Sequence, residues 1–259
     1  MKIATYNVWN EDKNFKERKK QLIREIVCVN ADIIALQEVT PRFYTENLKS
    51  LAEYPYCEYE QYTGEEEGLA ILSKYPITGC TFLYTEKYGK SNALNVLIRD
   101  GQSCFSFTDI HLPWDSVLAK ESQIVIVDEF MHEQKALADY FILLGDFNCD
   151  VDSSIHRFLV GSQTLCRKEA NPSWLEISST FAELHDKTLL PTLDCISNPR
   201  WKGKNSIYAP ENCDRIYIMD NWNPFSFEDV KLFGTEVDPV SKLCASDHYG
   251  VMAEVGFPQ

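Results

Sequence analysis

Short apolar runs, each closed by a polar or turn-forming residue, recur along the chain between stretches whose apolar positions repeat at helical spacing. Residues 3–8 predict a strand. Residues 12–29 predict an amphipathic helix with a stripe of Phe15, Leu22, Ile23, Ile26 and Val27. Asn30 to Asp32 break it, "IIALQEV" returns as a strand, and Pro41 suits a helix start. "GLAILSKYP", "ALNVLIRD" and "CFSFTDIHL" read as further strands, residues 116–139 as a long helix, and "YFILLG" as the strand after it. Residues 154–160 and 174–185 predict short helices, residues 190–212 a proline-bearing loop, and "DRIYIM", "DVKLF" and "YGVMAEV" closing strands. Strands in runs, without strict strand–helix alternation, predict a layered α+β fold.

Composition adds limits. With 259 residues, 44% hydrophobic and 12% aromatic, and no low-complexity linker, the expectation is one domain over residues 1–259. The net charge of −14 argues against broad duplex binding, which needs a basic face. The basic cluster of Lys13, Lys16, Arg18, Lys19, Lys20 and Arg24 reads as the solvated side of the first helix. Nine cysteines without C-x-x-C spacing fit reduced thiols. With neither a leader-like start nor a membrane-length apolar run, the expectation is a cytoplasmic protein, and no protein partner is inferable.

Candidate chemistry collects where apolar runs end. Asn7, Glu38, His111, Asp146, Asn148, Asp214, Asp247 and His248 all sit at such junctions. Singly, each suits a cap or a turn. Together, Glu38 and Asp247 as carboxylates with Asn7 and Asn148 as amide oxygens form a hard-donor set for Mg²⁺ or Mn²⁺, and the chain has no zinc-type His/Cys spacing. Such a site suits phosphoester hydrolysis. Asp146 and Asn148, two apart on an extended chain, can orient a water, and a carboxylate such as Asp214 can hold the His248 ring.

At these residues the sequence resembles the endonuclease/exonuclease/phosphatase superfamily, carried by "TYN", "LQE", "IHL", "GDFN", "DRI" and "SDH" in that order across essentially the whole chain. The resemblance implies a DNase I-like four-layer sandwich, α+β, with two mixed β-sheets packed face to face and flanked by helices. It also implies roles: Glu38 as main metal ligand with Asn7 and Asp247, Asp146 aligning the attacking water, Asn148 positioning phosphate or water, His248 with Asp214 stabilising the phosphoryl group, and His111 contacting phosphate.

Within the superfamily the chain is similar to 5′-tyrosyl-DNA phosphodiesterases, in "LQEV" followed by Pro and aromatics, "EEEG", and "DRI" followed by "SDHYG". Its Pro113-Trp114-Asp115 and its Phe147 depart from that group and would reshape the leaving-group pocket. The expected activity is a divalent-metal-dependent hydrolase, acting as a phosphodiesterase at a single-stranded nucleic-acid 5′ end or as a nuclease. One alternative is a phosphomonoesterase on inositol phosphates or phospholipid headgroups, which "CDRI" echoes, although no basic pocket for a multiply phosphorylated ring is evident in the sequence. The other is a catalytically silent binding module, disfavoured because Glu38, Asp146 and His248 are all present. Trp9, Trp114 and Phe147 are candidates to stack on a base or aryl group, Asn92 and Asn95 to contact phosphate, and Glu67 to orient His111.

Overall fold

The computed structural model describes residues 1–11, 15–84, 93–202 and 209–258. The expected start of the first helix, Lys13 and Asn92 lie outside them. Two six-stranded mixed sheets form the centre. One runs β11 (Ser226–Phe233), β12 (Gly250–Gly256), β1 (Lys2–Asn7), β2 (Ile33–Val39), β4 (Gly68–Ser73), β3 (Tyr56–Gln61). The other runs β5 (Ile77–Leu83), β6 (Ala93–Asp100), β7 (Ser103–His111), β8 (Tyr140–Asp146), β10 (Asp214–Met219), β9 (Trp174–Glu176). Each sheet has one parallel pair, β1 with β2 and β7 with β8.

Alternation along the strands sorts side chains into layers. Ile3, Ile33, Ile71 and Val251 from the first sheet meet Val96, Phe107, Ile142 and Ile216 from the second in a core between the sheets. The opposite face of the first sheet, with Ala4, Tyr6 and Leu36, packs on Leu22 and Ile26 of α1 (Phe15–Val29) and Phe43 of α2 (Pro41–Glu46). The opposite face of the second, with Phe141, Leu143 and Tyr217, packs on Ile124 and Val127 of α3 (Val117–Glu133) and Phe158 of α4 (Ser154–Leu159). The four-layer α+β sandwich implied by the sequence is therefore present.

Local chemistry sets the helix ends. The Thr40 side chain accepts from the Phe43 N–H, with Pro41 in the first turn of α2, and Ser116 accepts from the Ala119 N–H at the start of α3. The long helix ends at Glu133 rather than 139 because Asp139 is drawn into the sheet: its carboxylate accepts from the Cys104 N–H while its own N–H donates to Cys104 O. Residues 174–185 are not one helix. Trp174–Glu176 pair with β10, and Glu176 then caps α5 (Ile177–Leu184) by accepting from the Ser178 and Ser179 N–H groups. Two edge strands, β3 and β5, carry no clean apolar alternation because much of their length faces solvent.

Candidate active site

Toward one end of the sandwich the inward-facing positions turn polar. On β1 they run Ile3, Thr5, Asn7, and on β7 Phe105, Phe107, Asp109, His111. On β8 they run Tyr140, Ile142, Leu144, Asp146, and on β10, against its chain direction, Ile218, Ile216, Asp214. Strand register aligns them: Asp146 pairs with His111 on one side and with Asp214 on the other. The apolar run "FILLG" thus delivers Asp146 into the gap between the sheets. Gly145 allows this, since its φ is +138° and a Cβ there would overlap Ile110 O on the neighbouring strand.

The first sheet supplies the facing groups. Asn7 Nδ2 donates to Glu38 Oε1 at 2.9 Å and to Asp146 Oδ2 at 3.0 Å, tying carboxylates from the two sheets together. Expected as an oxygen donor, Asn7 instead turns its amide nitrogen toward both carboxylates, while its Oδ1 accepts the Trp9 N–H. Glu38 Oε2 accepts the Asn10 N–H at 3.0 Å. His111 Nε2 lies 3.9 Å from Glu38 Oε1 and 3.8 Å from Asp146 Oδ2. Trp9, Glu38 and Asn148 all hold left-handed backbone angles, at φ 57°, 57° and 48°, so the wall of the site stores strain that the surrounding bonds must hold.

His248 enters from the loop before β12. Ser246 anchors that loop, donating from Oγ to Asn7 O and accepting from the His248 N–H. The His248 Nδ1 sits 2.8 Å from Asp214 Oδ2, and its Nε2 sits 3.8 Å from Asp146 Oδ2. Burial opposes charge on this ring, but Asp214 and Asp146 outweigh it and hold its pKa well above the ordinary value. Burial raises Asp214, with His248 opposing and Asp146 adding to the rise. Burial also works against ionised Asp146, yet His248, His111 and the N–H groups of Asn7 and Asn148 bring its pKa below the usual carboxylate range. Neighbouring carboxylates are thus driven apart in acidity, which suits a division of labour.

Glu38, His111, Asp146 and His248 line a cleft of about 500 Å³ together with Trp9, Trp114, Asn148, Asp247, Lys120, Trp201 and Glu211, while Asn7 and Asp214 lie buried behind it. Asn148 is fixed by its N–H to Asp146 Oδ1 and its Nδ2 to Leu112 O, both at 2.8 Å. Trp114 is 75% exposed at the rim. Two expected substrate contacts are corrected. Phe147 is fully buried on the α3 side, against Tyr217 and under the Arg215 guanidinium. Asn95 alternates onto that same outer face of the second sheet, where its Nδ2 donates to Ser106 Oγ, Thr108 Oγ1 and Phe107 O. Neither reaches the cleft, because strand alternation points both away from it. Glu67 receives the Asn10 side-chain amide rather than the His111 ring.

Sequence reading missed several participants. Lys120 on α3 donates to Asn148 O and lines the cleft, and Trp201 donates from Nε1 to Asp247 O. Arg18 joins the segments around Asn7 and Asp247 by donating to Val8 O, Trp9 O, Glu11 O and Ala245 O. Helical spacing marked Arg18 as polar surface, and nothing local in the sequence signals a buried guanidinium. Asp146, Asp214 and His248 also bring ligand-type atoms within 4.8 Å of one another. The 2.8 Å hydrogen bond between His248 and Asp214 already accounts for that closeness, whereas Glu38 and Asp247 border the open cleft. Among the described residues no helix is long and apolar enough to cross a membrane.

A sequence model described as Endonuclease/Exonuclease/phosphatase family matches residues 4–248. Uncharacterized protein F14F9.5 of Caenorhabditis elegans is 28% identical over 116 residues, 45% of this chain and 35% of that protein, so the match spans about a third of this curated relative. Among solved structures, truncated C. elegans TDP2 superposes with a TM-score of 0.77 at 20% identity, covering 99% of this chain and 97% of that one. D. rerio TDP2 complexed with single strand DNA product gives 0.78 at 17% identity, covering 99% and 98%. At these identities the likeness to the solved structures is one of fold.

Proposed function

Because the chain belongs to the endonuclease/exonuclease/phosphatase family, we propose that it is a divalent-metal-dependent phosphodiesterase that hydrolyses an ester at the 5′ end of a single-stranded nucleic acid. The observation that carries this reading is the convergence of Glu38, His111, Asp146 and His248 from both sheets on one cleft, with Asn7 bridging the two carboxylates at 2.9 and 3.0 Å. Carboxylates outnumber cationic groups along the cleft, and their oxygens form a hard donor set that fits Mg²⁺ or Mn²⁺. Glu38 and Asp247 would hold the ion, with Asn7 setting the position of Glu38. Once bound, the ion supplies charge neutralisation at the phosphoryl and leaving oxygens.

The chain's own residues account for the rest. Asp146, kept ionised by two imidazoles, accepts a proton from the attacking water, and Asn148 beside it fixes that water or a phosphate oxygen. His248, charged against Asp214, donates to the phosphoryl oxygens as negative charge builds on them. His111 donates to a further phosphate oxygen. Trp9, Trp114 and Trp201 offer flat surfaces to a base or aryl leaving group. The fold neighbour carrying a single-strand DNA product supports a strand end as the substrate.

The test is product identity on three substrates with Mg²⁺ present: a 5′-phosphotyrosyl oligonucleotide, an unmodified oligonucleotide and a phosphoinositide. Release of tyrosine from an intact strand supports the proposal. Internal or stepwise shortening makes the protein a nuclease, and turnover of the phosphoinositide alone makes it a phosphomonoesterase.

A further inference from the structure

Among the basic residues of α1, Lys16, Lys20 and Arg24 are exposed as expected of a solvated face, while Arg18 is buried. Lys16, Lys20 and Arg24 border a second pocket of about 480 Å³ whose inner wall is Arg18 and Arg200, with Glu17 and Asp238 as its carboxylates. Asp238 accepts the N–H groups of Val240 and Ser241 at its Oδ1, which keep it ionised near Arg24, so five cationic side chains face two carboxylates around the pocket. Arg24 reaches Glu236 at 3.2 Å only through an exposed pair, which contributes little. Among the described residues neither Lys16 nor Lys20 has a carboxylate partner. In a chain of net charge −14 this is a local reversal of sign.

Two guanidinium groups in that wall are buried against backbone carbonyls, with Asp247 offsetting part of the charge of both. Among the described residues Arg18 donates to carbonyls, and the Arg200 Nε donates to Cys244 O at 2.8 Å. Burial, and then the nearby charge of Arg200, lower the Arg18 pKa to about 10. An anion seated in the pocket would relieve that repulsion. The pocket also adjoins the cleft: the Arg18 and Arg200 guanidinium carbons lie 4.7 and 5.2 Å from the centroid of Trp9, itself a cleft wall, and Trp201 in the cleft follows Arg200 in sequence.

We propose that this cationic pocket binds the phosphodiester backbone of a single-stranded nucleic acid whose 5′ end occupies the cleft. This rests on the reading of the cleft given above. A strand running from the cleft past Trp9 meets the positive charge of two guanidinium groups whose donors are engaged with carbonyls, and then the exposed, flexible lysines of α1. Acidic surface elsewhere repels the backbone, so contact is confined to the strand end.

The test combines Lys16→Glu, Lys20→Glu and Arg24→Glu in the full chain, all outside the catalytic cleft, with circular dichroism to check the fold. Binding of a fluorescent single-stranded oligonucleotide, read by anisotropy, is expected to weaken at least ~30-fold at low salt, and the slope of log Kd against log salt to fall by about 2. Cleavage of a nitrophenyl diester of one nucleotide, which reaches only the cleft, is expected to stay unchanged. The proposal is overturned if the wild type does not bind the oligonucleotide or if the triple variant binds it equally well. It is also overturned if the variant loses only capture on phosphoinositide vesicles, or loses the small diester activity in equal measure. A wild type that binds the oligonucleotide through these residues but hydrolyses neither substrate upholds the pocket and contradicts the reading of the cleft instead.

Discussion

The His248 Nδ1 lies 2.8 Å from Asp214 Oδ2, with both side chains buried and the opposite ring nitrogen turned toward Asp146. This bond fixes the ring's orientation and keeps its charge, so Asp214→Asn is expected to lower turnover by ~10²-fold or more while leaving the fold intact. Steady-state rates alongside imidazole titration by NMR check it. Full turnover with an unshifted imidazole titration would deny Asp214 this role.

Gly145 makes the close approach of β7 and β8 possible just before Asp146. Gly145→Ala forces a Cβ against Ile110 O at a backbone angle that side chains rarely adopt. The expected cost is about 3 kcal/mol, a Tm drop of roughly 10 °C. Thermal melting followed by circular dichroism measures it, and an unchanged Tm would mean the strands can separate at no cost.

Glu25 on α1 accepts from Tyr6 OH and Gln21 Nε2 while buried against the first sheet. Burial, offset only in part by those bonds and Arg24, raises its pKa from 4.5 to about 7. The folded chain therefore holds a proton that the unfolded chain releases between those values. This contribution to stability is complete below pH 4.5 and is lost as pH rises toward 7, amounting to about 3 kcal/mol. Urea melts across that range should show the slope in the wild type and a flatter one in Glu25→Gln; equal slopes would place the titration elsewhere.

Asn95 provides a contrast to the cleft residues. Its amide satisfies Ser106, Thr108 and Phe107 on the α3 side of the second sheet. Asn95→Ala is expected to cost about 1–3 kcal/mol of stability and to leave KM unchanged. Denaturant melts and kinetics on one preparation decide it, and a raised KM at unchanged stability would return Asn95 to the substrate.

Much of the site was legible because its residues end apolar runs: "FILLGD", "SFTDIH" and "LQE" place Asp146, His111 and Glu38 at strand ends by pattern alone. Side-chain direction was less legible. Asn95 sits in a strand that a one-residue shift would turn toward the core, and only pairing with β7 fixes its face. Phe147 follows Asp146 directly, so proximity in sequence suggested the cleft while alternation sent the ring to the opposite layer. Arg18 reads as solvated helix surface, and the positions of Arg200 and Lys120 were not legible, because their partners are backbone carbonyls and a cleft assembled from distant segments. The edge strands β3 and β5 were missed because both of their faces are partly exposed, with no fully buried position on either to set an apolar alternation.

The most direct measurement is turnover of a 5′-phosphotyrosyl oligonucleotide by the wild type and by Asp146→Asn, each with Mg²⁺ and with chelator. Metal-dependent hydrolysis by an Asp146-activated water predicts tyrosine release from an intact strand, abolished by chelator and reduced ~10²-fold or more in the variant. Full turnover in chelator, or by Asp146→Asn, would contradict it.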